Sequence, residues 1–296
     1  MRHTIPLVLG GLIAAATAVP AGAESIDREF HKTFTVRPGM VLHLDHGDGH
    51  VRIDAVDGDR LTVDIVYRAE HTQVGLGGDV DFEADLEEHG NEIRVAGRVT
   101  GPGGFFGIHA IDTHEYSYRI GAPGHLALEL RGDDGNVEIT GGSAGIDCET
   151  DDGDVTLRDI DGTVRVFTED GDLLLDGVRG DLHLETDDGD IEGAGVASPR
   201  IIVRTEDGDV GLDLLDVPGV DWRFSSDDGR IELEIGGNIS AELTVRTDDG
   251  RIRVDVPGAE IRTDDENRLT ARLGDGDGRI RIDSNDGSVS VHRRFR

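Results

Sequence analysis

The 296-residue sequence holds one lysine, Lys32, one cysteine, Cys148, and aromatic side chains at only 4% of positions. Acids outnumber bases 62 to 29, a formal net charge of -33. No basic stripe exists to release counterions from phosphate, so a nucleic-acid partner is excluded. A single thiol excludes an internal disulfide framework and any cysteine-cluster metal site. With so few rings, the core must be built from Val, Ile and Leu. No segment shows a helical period, and no long apolar run follows the first residues, so no transmembrane span is expected in the mature protein. What the chain has in surplus is glycine, 43 residues. The glycines are too irregularly spaced for collagen, and 36% hydrophobic residues is too many for a wholly disordered chain.

Residues 1–23 read as an export signal. Arg2 and His3 precede the apolar run Leu7 to Val19, and the small residues Ala21 and Ala23 stand three and one before Glu24. The expected location is therefore the periplasm, the cell surface or the medium.

A nonapeptide repeat organises the rest. Asp-Gly pairs end at Gly135, Gly153, Gly171 and Gly189, three steps of 18 residues, and continue at Gly208, Gly229, Gly250, Gly278 and Gly287. Beneath them runs a stricter period of nine through Val137, Ile146, Val155, Val164, Leu173, Leu182 and Ile191. Two positions on come Ile139, Cys148, Leu157, Val166, Leu175 and Leu184. Apolar residues at i and i+2 share one face of a strand. Two alternating types of nonapeptide thus make an 18-residue coil of two strands and two turns. A unit this short cannot bury its face alone, so the coils must stack. The predicted fold is all-β: a flattened parallel β-solenoid of two sheets over residues 126–296. Cys148 falls in an inward slot and reads as a small core residue.

The glycines are expected to supply positive φ at the turns, and the preceding aspartates to bond turn N–H groups. The column Thr150, Thr168, Thr186, Thr205, Ser226 and Thr247 is expected to bond hydroxyl to hydroxyl along the stack. After Gly189 the coils lengthen at corners marked by Pro199, Pro218 and Pro257, and the basic Arg293 to Arg296 is expected to block the last coil's edge. Residues 24–125 lack the strict period. They read as an irregular β cap with strands near 32–36, 41–45, 50–56, 61–68, 80–86, 92–99 and 116–120, and with a loop from Thr100 to Gly107.

The strongest chemical feature is a ladder of turn carboxylates: Asp152 and Asp154 recur as Asp170 and Asp172, then Asp188 and Asp190. Stacked about 5 Å apart, such charges repel by about 1 kcal/mol in water. Calcium, which takes oxygen ligands, would offset this, and these six residues are the candidate metal site. The alternative is a solvated acidic edge, supported by Arg230, Arg251 and Arg279 in the slot of Asp154. Nine of the twelve histidines lie between His31 and His125. They read as solvent-exposed side chains, with convergence of His43, His46 and His50 on zinc as the alternative. No G-x-S-x-G, P-loop or paired Ser/His signature occurs, so no catalytic residue and no cofactor is assigned.

The motif Asp-Gly-Asp-[VIL] at Asp152 to Val155 and Asp188 to Ile191, the Gly47-Asp48-Gly49-His50-Val51 turn and the export signal resemble a bacterial exported "putative adhesin" family of unknown function. The resemblance spans roughly residues 30–291 and implies a β-solenoid with no catalytic residues. The expected function is a non-enzymatic cell-envelope module, binding an envelope protein or glycan partner through a repetitive acidic surface. A calcium-binding roll is the alternative, and a carbohydrate-active enzyme on a β-helix stands behind both.

Overall fold

The structure, a computed structural model, describes residues 23–74, 81–100 and 108–294. The expected export signal up to Gly22 and the expected loop at 101–107 lie outside the described residues. The described residues are all-β, with a 12-stranded first sheet and a 13-stranded second sheet closing over one core of mainly aliphatic side chains.

A single coil shows why these residues form these strands. Val164–Thr168 lies in the second sheet with Val164, Val166 and Thr168 buried, and Leu173–Asp176 lies in the first with Leu173 and Leu175 buried. Alternation makes each strand apolar inward and polar outward, and the period of nine returns every inward residue to its slot. Val164 is the parallel partner of Ile146 and Leu182, and Leu173 of Val155 and Ile191. Cys148 sits in this core, fully buried, and burial pushes its thiol pKa up to about 12.

The turn glycines do a different job from the expected one. None of Gly153, Gly171, Gly189, Gly208, Gly229 and Gly250 has positive φ. They are needed because consecutive turns touch: a Cβ on Gly171 would lie 2.2 Å from the carbonyl oxygen of Gly153, and one on Gly189 2.0 Å from that of Gly171. Left-handed backbone occurs instead at the opposite corner, at Gly141, Asp159, Gly177 and Gly195, with φ of 77°, 53°, 66° and 65°.

All seven strands expected in residues 24–125 are present. Three are longer than their patterns suggest: Ala23–Thr35, Arg60–Val74 and Ile108–Pro123. These three run antiparallel in the order Ala23–Thr35, Arg60–Val74, Ile108–Pro123 and close the end of the first sheet. Asp81–His89 closes the second sheet in the same way against Glu92–Thr100. Both sheets run without a break from these strands into the coils.

The coils do not stack in chain order at either end. Val41–Gly47 lies between Glu92–Thr100 and Ala127–Gly132 in the second sheet, and His50–Val56 lies between Ile108–Pro123 and Val137–Thr140 in the first. The other end repeats the device. Gly278–Ser284 lies between Asp221–Ser226 and Ala241–Thr247, while Val289–Arg293 lies between Ile231–Ile235 and Ile252–Asp255. The expectation that Arg293 to Arg296 blocks the stack is therefore corrected, because Arg293 lies inside it. The end strand Ala241–Thr247 is covered on its outer side by the antiparallel hairpin Glu260–Asp265 and Arg268–Leu273. That hairpin takes the edge on which the last coil would otherwise stack. Gly278 likewise leaves the glycine column, which runs Gly229, Gly287, Gly250.

Gly171→Ala is expected to cost about 1–3 kcal/mol, the range of overpacking, because the methyl group meets backbone that cannot swing aside. Gly211→Ala, where nothing lies within 4 Å, is expected to stay within about 0.5 kcal/mol of the parent. Thermal or denaturant melts of the two variants check this.

Candidate functional site: the acidic turn edge

Each coil leaves the second sheet through a turn of the type Thr-acid-Asp-Gly-Asp. The buried hydroxyl column is the turn's internal brace. Thr168 donates through Oγ1 to the carbonyl of Asp151 at 2.9 Å and accepts from the N–H of Gly171 at 3.1 Å. Thr186 does the same with Glu169 at 3.2 Å and Gly189 at 3.1 Å, and Thr205 with Asp187 at 3.2 Å and Gly208 at 3.0 Å. The hydroxyls thus bond backbone rather than one another, which corrects the expected ladder. The carbonyl of Asp151 also accepts from the N–H groups of Glu169 at 2.8 Å and Asp170 at 3.1 Å. Three donors from one coil meet one carbonyl of the coil before, and the node repeats at Asp133, Glu169 and Asp187. The N–H groups of Glu169 and Asp170, and their equivalents in the neighbouring turns, are thus bonded within the protein.

The six candidate aspartates separate into two columns with different work. Asp154, Asp172 and Asp190 follow the glycine, and each spends one oxygen on the next coil. Asp154 Oδ1 accepts from the N–H of Asp172 at 3.0 Å, Asp172 Oδ1 from Asp190 at 2.8 Å, and Asp190 Oδ1 from Asp209 at 2.8 Å. The chain of bonds begins with His50 Nδ1 accepting from the N–H of Asn136 at 3.2 Å and Asn136 Oδ1 accepting from Asp154 at 3.2 Å. It ends with Asp209 Oδ1 accepting from Arg230 at 2.7 Å. Arg230 and Arg251 do occupy the slot expected of them, but Arg279 does not: it pairs with Asp221 and Glu242 in the second sheet, and Ser288 holds the slot in the inserted coil.

Asp152, Asp170 and Asp188 precede the glycine, point outward and are exposed. Desolvation, followed by the charges of Asp170, Asp134 and Asp151, holds the Asp152 carboxyl above its ordinary value. Asp133 is raised in the same way, by desolvation and then by Asp48, Asp151, Asp45 and Asp134. Among the described residues no three His, Cys, Asp or Glu side chains converge as a metal ion would require. Arg52, Arg131 and Arg204 stand on the outer sheet faces, where Arg52 meets Glu138 at 2.8 Å, Arg131 meets Glu149 and Arg204 meets Glu185 at 3.5 Å. Such exposed pairs contribute little each, but they leave the turn edge acidic.

The histidines divide. His43 pairs with Glu129 at 2.9 Å and His50 is exposed, whereas His46 is fully buried, contrary to the expectation of a solvated cluster. The side chains of His109 and His114 lie outside the described residues. His46 stands at the head of the hydroxyl column: its Nδ1 lies 3.0 Å from the carbonyl of Gly49, and its Nε2 has no hydrogen-bond partner among the described residues. Its ring fills the space of two slots, for a Cβ on Gly132 would lie 1.9 Å from Cε1. The signal in the sequence is Gly47-Asp48-Gly49-His50, the same turn met one coil early. Tyr116, whose oxygen accepts from the N–H of Asp48 at 2.8 Å, and Tyr118 close this turn from the first sheet. Burial pushes the Tyr116 hydroxyl up to about 12.

A family model described as Toastrack DUF4097 matches residues 41–292. No curated protein matches the sequence. Similar solved structures include a "putative adhesin" from Bacteroides fragilis, 9% identical, covering 90% of this chain and 97% of that one with a TM-score of 0.43. Another is a "putative adhesin" from Parabacteroides merdae, 13% identical, covering 89% and 96% with a TM-score of 0.38. A third is a "putative cell adhesion protein" from Clostridium sporogenes, 11% identical, covering 90% and 100% with a TM-score of 0.25.

The division into columns can be tested by substitution. Asp172→Ala removes the acceptor of the Asp190 N–H and is expected to lower stability by about 1 kcal/mol. Asp172→Asn keeps an oxygen there, as Asn136 does naturally, and is expected to stay within about 0.5 kcal/mol of the parent in the same melt. A second expectation concerns pH. Burial lowers the pKa of His46 below its ordinary 6.5, so near pH 6 the unfolded chain binds a proton that the folded chain refuses. Its contribution to stability is complete above pH 6.5 and is lost as pH falls. Against the double variant His46→Thr/Gly132→Thr, which continues the hydroxyl column, the parent should lose more stability between about pH 7 and pH 5. Denaturant melts across that range measure the difference, in which the raised carboxyls common to both proteins cancel.

Proposed function

The chain belongs to the Toastrack DUF4097 family, and from that premise we propose that it is an exported, non-enzymatic interaction module of the cell envelope, adhesin-like, with the acidic turn edge as its binding surface. The observation that carries this reading is the division of labour between the two aspartate columns. The column of Asp154, Asp172 and Asp190 is consumed in joining coils. The column of Asp152, Asp170 and Asp188 accepts no hydrogen bond or ion pair from any described residue and faces outward at every coil. A row of charges at the coil spacing of about 4.8 Å suits a partner that is itself repetitive or basic, such as an envelope protein or a glycan.

The crowding around Asp152 favours a second reading, in which calcium bridges neighbouring coils at this column and orders the edge. A calcium-dependent rise in melting temperature, reversed by chelator, would support it, and an unchanged melt would contradict it.

The test of the first reading is the triple variant Asp152→Asn/Asp170→Asn/Asp188→Asn on an array of envelope proteins and glycans. The parent is expected to bind in a salt-sensitive way and the variant about tenfold more weakly, at an unchanged or raised melting temperature. Equal binding by the two proteins would contradict the assignment of the edge. Glycan cleavage abolished by a single carboxylate substitution would make the protein an enzyme instead.

A further inference from the structure

The last coil lies between two coils that precede it in the chain. Gly278–Ser284 is hydrogen-bonded on one side to Asp221–Ser226 and on the other to Ala241–Thr247. Val289–Arg293 is flanked by Ile231–Ile235 and Ile252–Asp255. It carries Ile280, Ile282, Val289 and Val291 into the core, each at most 1% exposed.

The two coils that it separates match each other in sequence. Ala241, Leu243 and Val245 repeat the inward slots of Val220, Trp222 and Phe224 at a step of 21 residues, the same step that separates Gly208 from Gly229. A released coil cannot stack on Ala241–Thr247 from the outside. The outer edge of Ala241–Thr247 is occupied by Arg268–Leu273, and the far side of that strand by Glu260–Asp265. The surface that matches it is the open slot of a second copy.

The connection has the form of a hinge. Between Leu273 and Gly278 only four residues carry the chain from one side of Ala241–Thr247 to the other. Gly274 and Gly276 have φ of 56° and 78°. The crossover wraps Ser240, whose Oγ accepts from the N–H groups of Asp275 at 3.1 Å and Asp277 at 3.3 Å. Straightened, it would carry the coil away from its own slot. A short, tight connection of this kind favours exchange between copies.

We propose that the coil Gly278–Arg293 exchanges between two copies of this chain, each coil filling the other's slot in a reciprocal dimer. The slot is then an interface whose partner is the same sequence, and the dimer presents two acidic edges instead of one.

Ser225 and Asp283 are neighbours across the slot in the second sheet and are both partly exposed. A chain carrying Ser225→Cys and a chain carrying Asp283→Cys, unfolded together, refolded at high concentration and oxidised, should give a covalent heterodimer. The double variant at low concentration should give the intrachain disulfide, showing that the geometry permits the bond. Cys148 is buried and does not compete. Deleting Asp275 and Gly276 leaves the crossover too short to round Ser240 and should double the mass measured by light scattering. No heterodimer under conditions where the double variant forms its intrachain bond would overturn the proposal, as would a shortened-crossover chain that folds as a monomer.

Discussion

Between the turns of successive coils there is no room for a methyl group. A Cβ on Gly208 would lie 1.9 Å from the carbonyl oxygen of Gly189, and the same clash recurs through the column. That contact brings one carbonyl of each coil within reach of three donors of the next: two N–H groups and a buried hydroxyl. The strands fix the spacing of coils in the sheets, and the glycine column lets the turns keep that spacing at the edge. With the backbone satisfied there, the acidic side chains are released from capping their own turns. One column ties coil to coil and the other faces solvent. The exposed acid row is thus a consequence of how tightly the backbone beneath it is packed.

The same economy of edges explains the order of the coils. A stack of parallel strands ends in unpaired N–H and C=O groups that invite pairing with other chains. At the N-terminal end, antiparallel strands cover both sheets. At the C-terminal end, the hairpin Glu260–Asp265 and Arg268–Leu273 covers the second sheet. Once those strands hold the outer positions, the coils nearest the termini, Val41–Val56 and Gly278–Arg293, take inner ones. Each is then paired on both sides.

The period of nine makes the solenoid legible in the amino-acid sequence: it names the inward slots from Val137 to Ile191, and it puts Cys148 in the core. Four things are not legible there. Glycine at a turn suggests positive φ, but the same residue also permits close approach, and sequence does not distinguish the two; here the left-handed positions fall at Gly177 and Asp159, across the coil. The role of Asp172 depends on a bond to the coil above it, which no pattern within one repeat reveals. The insertion of the last coil is hidden because Gly229 and Gly250 are spaced as if their coils were neighbours. The burial of His46 is hidden for a related reason: its turn is plain in the sequence, yet the ring's place depends on Gly132, which lies in another coil.

The central claim is that the acidic edge, though its side chains are exposed, has a backbone as firmly bonded as the core strands. Amide hydrogen exchange measured residue by residue tests it most directly. The N–H groups of Glu169, Asp170, Asp187 and Asp188, each donated to a carbonyl of the preceding coil, are predicted to exchange as slowly as those of Val166 and Leu184 and only through unfolding of the stack. Exchange at those four amides at the rate of an open loop, with the flanking strands still protected, would contradict it.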